Sequence, residues 1–128
     1  MKTPFPLLAL VCLLIGAGCS TPCSVAKLEG QGTRHLFDAQ YDPVWNAVLG
    51  AVEMNDLRVV QIDTASGHIS ARRVMGVTTF GENVSIWVRA VAPGETEVEV
   101  ISRRTGPPVM PTPRPEKSIL QTVADVLT

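Results

Sequence analysis

Residues 82–91, ENVSIWVRAV, decide the fold because their side chains alternate without a break between the two faces of an extended strand. A turn signal at Pro93-Gly94 and a second alternating run over residues 96–102 then predict a β-hairpin. A three-residue loop over residues 93–95 sets apolar residues opposite apolar ones. The continuous apolar face of this hairpin consists of Val84, Ile86, Val88, Ala90, Val98 and Val100, with Val88 opposite Val100 and Ala90 opposite Val98.

A second hairpin is predicted immediately before the first. Residues 57–63 and 68–74 are rich in β-branched side chains, and a polar turn ending in Gly67 separates them. A four-residue turn keeps apolar side chains on one side of both strands. The pairs expected across this hairpin are Ile62 with Ile69 and Val60 with Ala71.

Two amphipathic helices flank the hairpins. The first is predicted to begin with Asp42 as its N-cap and Pro43 at the first helical position, and to end near Asn55. The second covers residues 116–127 and follows a Pro-rich connector over residues 104–115. Their apolar faces consist of Val44, Ala47, Val48, Ala51 and Val52 in the first helix, and of Ile119, Leu120, Val123, Val126 and Leu127 in the second.

The elements predict an α+β fold. A short first strand within residues 32–39 completes the order β-α-β-β-β-β-α. Two amphipathic helices must bury their apolar faces, and an antiparallel sheet offers one apolar face to cover. We therefore expect a two-layer domain with a four- to five-stranded antiparallel sheet. Both helices should pack on the sheet face that carries Val84, Ile86 and Val88.

The N-terminal stretch has the layout of a secretory signal. Lys2 supplies the positive start, residues 7–15 are apolar, and small residues precede Cys19. This end resembles the lipobox of bacterial lipoproteins, although Gly16 stands where that family usually has Leu. The resemblance implies cleavage between Gly18 and Cys19 and a diacylglyceryl anchor on Cys19. The predicted organisation is a signal peptide over residues 1–18, a flexible tether over residues 19–30, and an α+β domain over residues 31–128.

The amino-acid composition of the chain argues against some classes of function. Without residues 1–18 the chain has 110 residues, and because Lys2 is the only charged residue removed, the formal net charge changes from −1 to −2. That charge is not typical of a nucleic-acid-binding protein, and the basic residues are scattered, so no polybasic lipid-binding patch is predicted. With Cys19 acylated, Cys23 has no partner within the chain and is either a free thiol or a link between chains.

The sequence contains no recognisable catalytic or metal-binding constellation. No cofactor is predicted, and His35 and His68 have no converging ligands with metal-site spacing. His68 is expected across a turn from Asp63, and a solvated pair is favoured over a catalytic dyad because no nucleophile is evident. Three carboxylates at alternate positions of one strand are predicted to form a solvated edge: Glu95, Glu97 and Glu99.

Two short motifs carry a resemblance to a protein family. YDPVW at residues 41–45 opens the first helix, and GHISA at residues 67–71 opens a strand. The pattern resembles a family of small bacterial lipoproteins of uncharacterised function. The fold is also similar to the small domains of the lipoprotein subunit of the barrel-assembly machinery. The resemblance covers roughly residues 33–127 and implies a single β-α-β4-α domain.

The second face of the first hairpin supplies the candidate binding surface. The three-residue loop sets Trp87 opposite Ile101 and Arg89 opposite Glu99, with Val91 nearby. If both helices cover the other face, Trp87, Ile101, Val91 and Arg89 form an exposed aromatic centre ringed by charge, the usual layout of a contact surface. The alternative is that the first strand, the tether or the Pro-rich connector folds over Trp87.

The predicted function is that of a lipid-anchored cell-envelope protein with a non-catalytic binding or scaffolding domain. Ser20 after the acylated cysteine favours an outer-membrane location facing the periplasm. The expected partners are the membrane, through Cys19, and an envelope protein or a second copy of the chain. Two alternatives stay open: an accessory envelope hydrolase that uses His68 and Asp63, and a purely structural spacer.

Overall fold

The computed structural model describes residues 25–73, 81–105 and 114–128. The predicted signal peptide, Cys19, Cys23, Val74 and residues 106–113 of the predicted Pro-rich connector lie outside these ranges. Seven elements follow in chain order: β1 (Thr33–Phe37), α1 (Tyr41–Met54), β2 (Arg58–Asp63), β3 (His68–Arg73), β4 (Glu82–Ala92), β5 (Glu95–Arg104) and α2 (Pro115–Leu127). The strands form one antiparallel sheet in the order β1-β5-β4-β3-β2.

The predicted α+β class and two-layer arrangement are confirmed. Both helices contact each other and pack on the sheet face that carries Val84, Ile86 and Val88. Fully buried Ile119 of α2 meets this face from the helix layer. The core therefore lies between the helices and one side of the sheet, and we call the opposite side the second face.

The predicted register of the β4–β5 hairpin is wrong by two residues. The turn contains only Pro93 and Gly94, and a bulge at Val91 adds one residue to β4. A two-residue turn alone would set Val opposite Glu, but the bulge restores the alternation, so Val88 faces Val98. As a result Trp87 lies opposite Glu99 and not Ile101, and Arg89 lies opposite Glu97.

A second bulge changes part of the predicted pairing in the β2–β3 hairpin. The predicted pair of Ile62 and Ile69 is present, whereas Ala71 pairs with Val59 and not with Val60. The irregularity lies between Val59 and Gln61, and it turns Val60 out of the core so that 53 % of its surface is exposed. Val59 packs against the core instead.

The helix boundaries differ slightly from the predictions. Helix α1 begins at Tyr41 with Gln40 as its N-cap, so Asp42 lies in the first turn and is not the capping residue. Pro43 is tolerated there because the first-turn amides have no partner within the helix. Asn55 ends the helix as predicted, and its backbone and side-chain amides both donate to the Ala51 carbonyl.

Helix α2 ends at Leu127 as predicted, but its first residue and one position of its apolar face differ from the prediction. It begins at Pro115, one residue earlier than expected, where the missing N–H costs nothing. Val126, placed on the apolar face by its spacing, is half exposed, whereas Leu127 packs partly against the core. The predicted first strand is present as β1 and pairs with β5, which makes β1 and β2 the two edges of the sheet.

Candidate functional site on the second face of the sheet

The N-terminal segment, residues 25–32, lies on the second face. Val25 and Leu28 pack against Trp87 and Ile101 to form a second hydrophobic cluster, in which Val25 is fully buried and Trp87 is 4 % exposed. The segment turns tightly, since the Leu28 amide donates to the Val25 carbonyl at 3.0 Å. The expectation that residues 19–30 form a flexible tether is therefore wrong from Val25 onward, and the alternative that the tether covers Trp87 is the correct one.

Gly32 allows the segment to approach β5 closely. A Cβ atom at this position would lie 2.6 Å from the Val100 carbonyl oxygen, which is too short for any side chain. The Gly32 amide donates to Oε2 of Glu99 at 2.8 Å. Because Gly32 has no side chain, its backbone amide can approach β5 closely enough to donate to the Glu99 carboxylate.

Arg89 joins three carboxylates, and we call this group the Arg89 cluster: Arg89, Glu29, Glu97 and Glu99. The guanidinium donates to Glu29 at 2.6 Å, to Glu99 at 2.9 Å and to Glu97 at 3.0 Å. Glu99 is fully buried, which contradicts its predicted place on a solvated strand edge. Glu29 belongs to the N-terminal segment, so the cluster ties that segment to β4 and β5 by charge as well as by apolar contact.

The charges of the cluster stabilise one another. Burial by itself raises the pKa of Glu99, but the Gly32 amide and the Arg89 guanidinium outweigh it, and the net shift of this pKa is downward. Burial likewise opposes the charge on Arg89, and the hydrogen bonds that its guanidinium donates to Glu29 and Glu99 reverse that effect and raise the pKa of Arg89. Both groups therefore remain ionised at neutral pH, as a structural ion-pair network requires.

His68 packs beside the same cluster without forming a catalytic dyad with Asp63. Its ring stacks on Trp87 with centroids 5.1 Å apart, and its Nε2 lies 3.2 Å from the Ser85 hydroxyl. Burial lowers the pKa of His68, an effect that Asp63 and Glu29 partly offset. Asp63 does face His68 in register, but its Oδ1 accepts hydrogen bonds from the turn amides of Ala65 and Ser66.

The contact between His68 and Ser85 was not anticipated from the sequence. The strand pairing β3–β4, which brings the two side chains onto one face, has no local signal in either segment. Ser85 is 1 % exposed, so its hydroxyl does not meet solvent. A serine and histidine in contact suggest acyl-transfer chemistry only where a substrate can reach the hydroxyl.

The four candidate partner-binding residues do not form one exposed surface. Trp87 and Ile101 are buried beneath the N-terminal segment, and Arg89 is occupied by carboxylates. Val91 is 51 % exposed, but it lies in the β4 bulge and is not part of the Trp87 cluster. Within residues 25–73, 81–105 and 114–128, no group of three or more His, Cys, Asp or Glu side chains is arranged to hold a metal ion.

Comparison with known proteins adds no family assignment. No protein-family model matches the chain, and no curated protein sequence matches it. Among the helices in the described parts of the chain, none is both long and apolar enough to span a membrane. The functional argument therefore depends on the residues themselves.

Proposed function

We propose that this chain is a lipid-anchored protein of the bacterial cell envelope whose domain binds or scaffolds and does not catalyse. The support for the anchor is the signal-like stretch that ends in small residues before Cys19. Ser20, next to that cysteine, favours outer-membrane delivery with the domain in the periplasm. The likeness to small envelope lipoproteins, drawn from YDPVW and GHISA, agrees with this assignment.

The observation that carries the proposal is the burial of Val25. Because Val25 is part of a hydrophobic cluster, only residues 20–24 separate Cys19 from the folded domain. Six peptide units span at most ~22 Å when fully extended. A domain anchored through Cys19 is therefore held close to the membrane, and the side that carries the N-terminal segment is the side nearest the acyl chains.

The surface that we assign to a protein partner is the outer edge of β2, one of the two edge strands of the sheet. In the part of the chain that the structure describes, β2 pairs only with β3, and Val60 and Ile62 are about half exposed. An edge strand with free backbone groups and exposed apolar side chains is the kind of surface to which an added strand binds. A second copy of the chain could use the same edge.

The hydrolase alternative receives less support from the geometry. The carboxylate of Asp63 is engaged by its own turn, so it does not orient the His68 ring. Among the described residues, the serine hydroxyl in contact with His68 is that of Ser85, and it is buried. Without an accessible nucleophile, a histidine of lowered pKa gives no acyl-transfer site.

Cell fractionation tests the anchor. Cys19→Ser removes the acyl chains, so after a salt wash the protein should be in the soluble periplasmic fraction and not in the membrane fraction, because two buried chains hold far more firmly than protein contacts at a surface. A Cys23→Ser variant is the matched control and should stay with the membrane. Sedimentation of Cys19→Ser with membranes after a salt wash would contradict the proposal.

Site-specific cross-linking tests the binding surface. A photo-reactive residue at Ile62 should yield one defined cross-linked product in intact cells, either with an envelope protein or with a second copy. The same residue at exposed Asp125, on the helix layer, is the control and should not yield that product. Absence of any product from Ile62 would favour the structural-spacer alternative.

A further inference from the structure

Three arginines that are distant in sequence form a row on the second face, and we call Arg58, Arg72 and Arg103 the arginine row. Arg58 pairs with Arg72 across β2 and β3, Arg72 with Asn83 across β3 and β4, and Asn83 with Arg103 across β4 and β5. Directly paired residues of an antiparallel sheet project from the same face. All three arginines are exposed, so strand pairing brings together basic residues that are scattered in the linear sequence.

Among residues 25–73, 81–105 and 114–128, the row of paired residues next to the arginine row on the second face contains no acidic residue. The adjacent row across the sheet is neutral and consists of Gln61, Ser70, Ser85 and Ile101. Asp63 and the carboxylates of the Arg89 cluster follow beyond that row, and Arg89 itself neutralises part of the charge of its cluster. Asp56 is the acidic residue nearest to Arg58 in sequence, and its single negative charge does not balance the three positive charges of the arginine row.

The helix side of the same sheet end is also rich in arginine. Arg73 and Arg104 flank the buried Glu82 in the next row of paired residues. Arg103, Arg104 and Arg114 together line a shallow pocket of about 180 Å³ with Ser102 and Glu82. The positive charge at this end therefore extends around the edge of the sheet from the second face.

The arginine row lies on the same side of the domain as the N-terminal segment, which connects the domain to the proposed anchor at Cys19. Val25 packs with Ile101, and Arg103 follows two residues later on the same strand face, a separation of ~7 Å. Cys19 is at most ~22 Å of extended chain from Val25. An acylated Cys19 would thus hold the row within a short distance of the bilayer surface.

We propose that the arginine row docks on the anionic phospholipid head groups of the membrane that holds Cys19. This inference rests on the proposed function for the location of the domain, and on strand register for the surface. Guanidinium groups bind phosphate oxygens through paired hydrogen bonds, which suits phospholipid head groups. Docking fixes the orientation: the second face lies toward the bilayer, while the helices and the β2 edge remain accessible to a periplasmic partner.

Vesicle binding by the unacylated protein tests the proposal. A polypeptide of residues 20–128 retains every residue of both hydrophobic clusters and has no acyl chain. It should sediment with vesicles of phosphatidylethanolamine and phosphatidylglycerol, but not with phosphatidylcholine vesicles, and high salt should release it. Since each basic residue near an anionic surface raises partitioning about fivefold, Arg72→Gln/Arg103→Gln should lower binding by roughly 25-fold.

A variant of equal net charge separates the patch from overall charge. Gln40→Glu/Asn46→Asp also lowers the net charge by two, at exposed positions at the start of α1, and should retain most of the binding. Arg72→Lys/Arg103→Lys keeps the charge of the row and should also bind. Each variant should show the unfolding midpoint of the parent, because the altered side chains are exposed.

The outcomes are distinct from those of the anchor test. Equal losses in the glutamine and acidic variants, or no loss on removal of Arg72 and Arg103, would overturn the docking proposal. Because this polypeptide has no acyl chain, its vesicle binding does not depend on whether Cys19 is lipidated in cells. Conversely, release of Cys19→Ser from membranes supports the anchor whatever the vesicles show.

Discussion

Replacing Arg89 by methionine should destabilise the fold by about 2–4 kcal/mol, and the structure accounts for this range. Leaving a buried carboxylate without its partner costs about 3–5 kcal/mol, and Glu99 is fully buried. The Gly32 amide at 2.8 Å and Arg34 at 3.9 Å remain near Glu99 and reduce that cost. Loss of the ion pair between Arg89 and Glu29 adds less than about 1 kcal/mol to the cost, because the Glu29 side chain is more than half exposed.

A double-mutant cycle tests whether the charge of Glu99 is the cause. Glu99→Gln alone should cost about 1–2 kcal/mol, because the amide oxygen still accepts from Gly32 while Arg89 keeps two carboxylates. With Arg89→Met present, Glu99→Gln should cost little or restore stability, giving a coupling of about 1–3 kcal/mol. Urea unfolding followed by circular dichroism measures all four proteins. Strict additivity of the two changes would refute the argument.

The same cluster should appear in the pH dependence of stability. The pKa of Glu99 is lowered in the folded state, so its stabilisation is complete above the ordinary glutamate value of about 4.3 and is lost as the pH falls through the folded pKa. Glu99→Gln should therefore differ from the parent at neutral pH and converge with it in acid. Arg89→Met should move the acid unfolding limb to higher pH.

Four further predictions use the same unfolding assay. Gly32→Ala should cost about 1–3 kcal/mol because its Cβ would overlap the backbone of β5, whereas Gly50→Ala, with nothing within 4 Å and inside α1, should gain about 0.5–1 kcal/mol. Trp87→Ala should cost about 3 kcal/mol or more, a core effect and not a surface one. Starting the chain at residue 30 removes Val25 and should cost about 2–3 kcal/mol and shift tryptophan emission to the red. Because the pKa of His68 is lowered, stability should fall as the pH drops below about 6.5, and His68→Gln should remove that part of the slope.

The periodic parts of the fold could be predicted because each depends on residues close in sequence. The alternation of residues 82–91 and the helical spacing around Val48 and Val123 give the strands, the helices and the face that they share. The two bulges could not be predicted in the same way. A single added residue at Val91 or Val60 changes which residues pair, while the alternation on either side of it looks unchanged.

The candidate site was harder to predict because its contacts are long-range. Glu99 alternates with Glu95 and Glu97 in the manner of a solvated edge, but the pairing of β5 with β1 and its contacts with Gly32 and Arg89 accompany its burial. The apolar spacing of Val25 and Leu28, three residues apart, was the one local signal of that packing, and a segment so short is weak evidence of a helical face.

The position of the N-terminal segment determines which side of the domain the proposed anchor at Cys19 would hold near the membrane. A flexible tether would let a lipid-anchored domain rotate freely, and the surfaces of the domain would then have no fixed orientation relative to the membrane. Here Val25 and Glu29 are bound to the sheet, so the chain leaves the domain from a defined place on the second face. If Cys19 is attached to the membrane as proposed, the short chain that joins it to Val25 and the nearby Arg103 act on the same side of the domain. The proposed orientation at the membrane requires these two constraints together, since either alone would leave the domain free to turn.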